Sequence, residues 1–286
     1  MSFFKKIVQT IKTDVLDMPS PEPLTERENG FVMDAEDSVT VSLFEGESSP
    51  YDSKVGGLPY MPVGFHYPMD LREGREDKPL AFLAQINFEQ LPPLKGFPSY
   101  GILQFYVGTD YMYGLDTENL TNPAGFRVIY HEIVREGQQI LTQLPVTPEP
   151  ETDFPVVRAL KMGFTPAVSV IGWQDFRYDA NLLTAYQKEF PLTQAFEDIP
   201  VGIRDKMEEL CNASGSRIGG FPLFTQSDPR SADNSYGADT VLLFQLDSDP
   251  ENGVSWGDDG VCNFFITPEQ LAKRDFSHVL YHWDCY

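Results

Sequence analysis

Lys54-Val55-Gly56-Gly57-Leu58-Pro59 returns later in the chain as Arg217-Ile218-Gly219-Gly220-Phe221-Pro222. Paired glycines permit a positive φ or a close backbone approach, and proline keeps the residue before it out of helical geometry. Matching runs follow each copy. Leu80–Asn87 corresponds to Thr240–Asp247, and Gly101–Val107 to Gly260–Ile266. The offsets are 163 (Gly57 to Gly220), 160 (Gln85 to Gln245) and 159 (Gln104 to Asn263). Three segments in one order at nearly one spacing predict a duplicated unit. Gly56, Gly57, Pro59, Gly219, Gly220 and Pro222 are then its structural motif.

Working outward, period-two or continuous apolar patterns predict strands over 37–44, 80–88, 101–107, 125–135, 140–144, 240–247, 261–266 and 277–286. Helical spacing covers 2–17, 179–190, 203–212 and 268–274. Strands do not alternate regularly with long helices, which argues against a doubly wound parallel sheet. The expected fold is α+β, with mainly antiparallel sheets in two similar halves and helices at the N-terminus and between the halves. Residues 1–29 read as an amphipathic helix and connector. Residues 30–286 read as one duplicated domain: half one about 35–144, a helical insert about 152–213, and half two about 214–286.

A chain of 286 residues buries enough surface to need no disulfide or metal staple. Its apolar share of 41% belongs to a packed protein, not a disordered one. Twenty-one basic against forty-three acidic residues leave a net charge of −22. That balance disfavours nucleic acid, which requires a Lys/Arg surface, and anionic membranes. It is compatible with a basic protein partner or with solubility alone. No apolar run is long enough to span a membrane, no secretory signal is recognisable, and the three cysteines form no CxxC. A cytoplasmic protein is expected.

No sequence signature of a nucleophilic hydrolase or zinc protease is present. In the acidic loop 247–259, Asp247, Asp249, Glu251 and Asp258 fall at positions 1, 3, 5 and 12 of a Ca²⁺-loop register. The required glycine comes one place late and Pro250 interrupts the loop, so a divalent-cation site competes with an ordinary Asp/Gly-rich hairpin loop. His278 and His282 would lie roughly 13 Å apart on a strand, too far for one ion. His66 and His131 have no recognisable partner. Gln85 and Gln245 stand in otherwise apolar strands, where a buried amide must find partners. They either knit the halves together or, with Trp256, line a cleft between them.

The two Gly-Gly-x-Pro motifs, Phe82–Asn87, Leu242–Asp247, Trp256-Gly257-Asp258 and Tyr281-His282-Trp283-Asp284 together resemble the YwqG-like family, a bacterial domain of unknown function. The resemblance covers about residues 35–286. It implies a cytosolic bacterial protein with an α+β fold and no established activity, so no catalytic residue is carried over. Two functions are then open. One is a non-catalytic, immunity-like or regulatory protein-binding module. The other is a divalent-metal-dependent hydrolase or transferase working between the halves, with Asp228, Asp247, Asp258 and Asp259 holding the ion.

Overall fold

The computed structural model describes residues 33–135, 137–211, 213–230 and 240–286. Their ten strands form one antiparallel sheet. The strands are β1 (Ala35–Phe44), β2 (Lys54–Val55), β3 (Ala81–Asn87), β4 (Ile102–Val107), β5 (Phe126–His131), β6 (Leu160–Val170), β7 (Arg217–Gly219), β8 (Val241–Asp247), β9 (Val261–Ile266) and β10 (Leu280–Asp284). Their order is β10-β9-β8-β7-β1-β6-β2-β3-β4-β5. The long ladder between β1 and β6 lies at the centre and runs from Ala35↔Val170 to Phe44↔Lys161.

The expected α+β class with sheets in two halves is therefore wrong. The protein is predominantly β, and a single curled sheet runs without a break through both arms. Among the described residues there are three short α-helices: α1 (Tyr178–Gln187), α2 (Val201–Leu210) and α3 (Pro268–Lys273). The helix expected at the N-terminus lies outside the described residues. The stretch 152–213 holds α1 and α2 but also the eleven-residue β6, so the helices lie between β6 and β7. Residues 140–144 form no strand; Ile140 makes one isolated bridge to Pro62.

Curling brings the two arms face to face as a near-barrel. Phe105 of β4 packs on Phe264 of β9 with centroids 4.7 Å apart, and Phe126 of β5 meets Tyr281 of β10 at 5.1 Å. The principal core lies between the arms, and includes Leu83, Ile86, Leu103, Leu243, Leu246 and Cys262. β3, β4 and β9 are buried on both faces because loops cover the outer one: Phe65 and Tyr67 pack against Phe82 and Tyr106, and Asn263 donates to the Leu223 carbonyl. A smaller core joins α1 and α2 to Ile171 and Phe221 through Leu182, Tyr186, Ile203 and Met207. The rims of the curled sheet do not pair with each other. Along β10, Tyr281 donates its N–H to the Leu120 carbonyl and Trp283 its Nε1–H to the Met112 carbonyl. At the other rim, among the described residues, β5 has β4 on one side only.

Candidate functional site

The free rim of β5 faces a groove of about 870 Å³. On its far side lies the stretch from Ala272 to Val279, which leads from α3 into β10. Local chemistry sets that wall. Thr267 caps α3 by accepting the Gln270 N–H at 3.2 Å, and Pro268 follows at the first turn, where its missing N–H costs nothing. The helix stops at Arg274, which adopts a left-handed conformation and returns its N–H to Gln270 and Leu271. Asp275 then accepts the Ser277 N–H at 3.1 Å and turns the chain back. Phe276 packs on Tyr130 of β5 with centroids 5.2 Å apart.

Three cations line the groove, Arg127, Lys273 and Arg274, with Glu132 at its rim. Two are already held. Lys273 pairs with Glu269 at 2.6 Å. Arg274 lies over the Tyr100 ring at 4.5 Å and donates to Glu132 and the Tyr100 hydroxyl. Arg127, cross-strand from Tyr106, has no hydrogen bond or ion pair among the described residues. Burial pushes its pKa down and the field of Asp70 offsets this only in part. A strand rim with no partner among the described residues, beside a half-buried guanidinium that makes no ion pair there, is equipped to bind, through backbone groups and one charge.

Behind the groove, a polar cluster on the outer face of β3–β5 ties the loops to the sheet. Gln104 donates its Nε2–H to the Tyr60 carbonyl at 2.7 Å and to Gln85 Oε1 at 3.1 Å. Its own Oε1 accepts from the Tyr106 hydroxyl at 3.0 Å and from His131 Nε2 at 2.9 Å, which assigns the proton to Nε2. The His131 ring rests edge-on against Tyr60 at 5.1 Å. Burial lowers its pKa to about 4. Folding therefore favours the neutral ring, and stability present above the unfolded pKa of about 6.5 is lost as pH falls toward 4. Going from pH 7 to pH 5 should cost about 2 kcal/mol through this residue. His131→Gln, which keeps an N–H donor but cannot titrate, should flatten that slope in urea melts at the two pH values. An unchanged slope would remove His131 as its source.

The sequence-predicted residues lie elsewhere. Gly56 and Gly57 have φ of 64° and 76°, and Gly219 and Gly220 have 69° and 74°, each pair directly following or ending a short strand. Pro59 and Pro222 are buried behind them. Gln85 Oε1 accepts the Tyr60 N–H at 2.8 Å while its Nε2 donates to the Pro50 and Asp52 carbonyls. Gln245 Oε1 accepts the Leu223 N–H at 2.7 Å while its Nε2 donates to the Ala213 and Gly215 carbonyls. Each amide thus staples the loops on both sides of its own Gly-Gly turn. Trp256 is fully buried, with Tyr113 at 5.6 Å and Trp283 at 6.0 Å. None of these three side chains lines the groove.

The acidic residues are dispersed. Asp247 accepts the Gly215 N–H at 2.6 Å and the Ser248 N–H at 2.9 Å; burial nevertheless raises its pKa. Asp249 caps a single 3₁₀ turn by accepting from Asn252, whereas Glu251 and Asp258 are exposed. Asp228 is buried in an ion pair with Arg230 and Asp259 is exposed. Among the described residues no three His, Cys, Asp or Glu side chains stand together as a metal site. His278 is exposed ahead of β10, and His282 lies within it.

Two features escape the reading of the sequence given above. Residues 126–132 and 272–279 are far apart in the chain, so no local pattern announces their groove. The second is legible once sought: Asp-x-Arg occurs at Asp70-Leu71-Arg72, Asp175-Phe176-Arg177 and Asp228-Pro229-Arg230. In each, the carboxylate accepts the N–H of the arginine two residues on and binds its guanidinium. Short Asx turns of this kind are encoded locally. Asp110 joins the first through Arg72 and Asp175 joins the third through Arg230, so each locks a long loop to a strand end.

No helix of the described residues is long and apolar enough to cross a membrane. Comparison with curated proteins gives no match. A family model described as a domain of unknown function (DUF1963) matches residues 53–285, from the residue before β2 into the residue after β10. The match takes in the groove, both Gly-Gly turns and all three Asp-x-Arg turns, so the chain belongs to the DUF1963 family.

Proposed function

We propose that this protein is a non-catalytic protein-binding module that accepts an extended segment of its partner along the free rim of β5. The observation that carries this reading is the β5 edge, unpaired among the described residues, facing a groove of about 870 Å³. Natural sheets usually blunt or cover an edge, because its open N–H and C=O groups invite another strand. Here the rim of β10 is occupied by the 112–120 segment, whereas none of the described residues occupies that of β5. Main-chain pairing would supply affinity, and contacts of alternate side chains with the groove walls selectivity. The net charge of −22 favours a partner that is basic overall, by steering its approach. The metal-dependent hydrolase gains no support from the dispersed carboxylates.

Decapeptides selected by display against the full chain test this. A bound strand should slow amide exchange at alternate residues of Phe126–His131, and N-methylating alternate peptide positions should abolish the effect. Selected peptides that leave β5 exchange untouched would sink the reading.

Two finer readings accompany it. The resemblance to the YwqG-like family supports a bacterial, cytosolic setting. An internal repeat is supported by matched details: the same two left-handed glycines, the same three-bond glutamine staple, and a bulge at Leu83 and again at Leu243. The strand order also reads alike from either rim inward to β1 and β6.

A further inference from the structure

We infer that the segment bound beside β5 carries a carboxylate and that Arg127 is its anchor. This rests on the strand-addition reading and adds the chemistry of the partner. Of the three groove cations, Arg274 and Lys273 already have paired carboxylates, whereas Arg127 makes no ion pair among the described residues; Asp70 reaches it only through its field and is itself paired with Arg72 and Arg75. A half-buried guanidinium is costly to leave without an anion, and its planar fork matches a carboxylate in a bidentate pair.

The register places the two groups together. Arg127 and Ile129 share the outer face of β5, where they oppose Tyr106 and Gln104 of β4. A strand added on the other side would set one of its residues directly opposite Arg127, with Cβ atoms roughly 5 Å apart. The residue two places along would oppose Ile129, and the residue between would turn inward toward Val128 and Phe276. The expected pattern is acidic–apolar–apolar, with the acid in one fixed position. The protein's overall negative charge does not cancel this preference. At physiological ionic strength the screening length is about 8 Å, so the charge in contact decides.

The test uses the full chain and the displayed decapeptides. Peptides that protect β5 from exchange should carry Asp or Glu at one position, and changing that residue to the neutral amide should weaken binding about tenfold. This comparison needs no protein variant. On Arg127→Glu, checked for an unchanged thermal melt, selection should switch to Lys or Arg at the same position. Peptides that protect β5 without any acidic preference, and an Arg127→Glu selection identical to the wild type, would overturn the anchor while leaving strand addition standing. Peptides that protect no β5 amide would overturn strand addition itself.

Discussion

Arg230→Ala is expected to cost about 3–5 kcal/mol, because it leaves the buried Asp228 carboxylate without its cation and Asp175 with Arg177 alone. The side chain is 1% exposed, and its Nη2 reaches Asp175 at 2.9 Å and Asp228 at 2.7 Å, themselves 0% and 2% exposed. Phe265 lies under the guanidinium at 4.6 Å, with Phe224 and Phe176 nearby, so no water replaces it readily. Truncation therefore removes packing as well as charge. Asp228→Asn/Arg230→Met, which discards one charge of each sign and keeps the volume, should be less destabilised than Arg230→Ala alone.

The pH dependence follows from the same group. Burial alone would raise the Asp175 pKa, but hydrogen bonding to Arg177 and the charges of Arg230 and Arg177 bring it below the usual range. A depressed carboxylate contributes stability that is present above its unfolded pKa, near 4, and lost as pH falls through the lower folded value. Without Arg230 that contribution shrinks, so the gap between wild type and variant should narrow below about pH 4. Urea melts at pH 7 and pH 3.5 measure it. A variant with wild-type midpoints would mean the triad is not the lock described.

How much of this is legible in the sequence depends on how local each signal is. The Gly-Gly turns, β3, β4, β8 and β9 announce themselves through glycine pairs and apolar runs. β6 does not, since Gly163 and Pro166 break its pattern and proline argues against a central strand. The structure shows why it is tolerated. β1 pairs with β6 along its whole length, but β2 covers only Leu160 and Lys161, so Pro166 has one strand neighbour rather than two. Without β6, one sheet reads as two halves with helices between. The glutamines are recognisable as amides in apolar strands, but their stapling partners are loop carbonyls, which carry no side-chain signature. The β5 groove requires knowledge of how the sheet curls.

Gly220→Val tests the turn motif where its backbone is most tightly enclosed. A Cβ on Gly220 would lie 2.5 Å from the Ser169 Cβ and 2.9 Å from the Ser38 Cβ, against β6 and β1 at the centre of the sheet. It would also impose a β-branched side chain at φ 74°. The left-handed conformation costs roughly 1–2 kcal/mol and overpacking typically 1–3, so a loss of about 3–4 kcal/mol is expected. Gly57→Val meets one close atom, the Ala159 Cβ at 2.9 Å, and should lose about 2–3 kcal/mol. Gly215→Val separates the two causes. Gly215 has φ 87°, and a Cβ added there would meet nothing within 4 Å, so only the conformational part, about 1–2 kcal/mol, should appear. Urea midpoints should rank the variants Gly215, Gly57, Gly220 in order of increasing damage. Equal losses at all three would mean that backbone strain alone sets the cost and that the β1–β6 ladder yields to make room. A wild-type midpoint for Gly220→Val would show that the turn is not held in the conformation described.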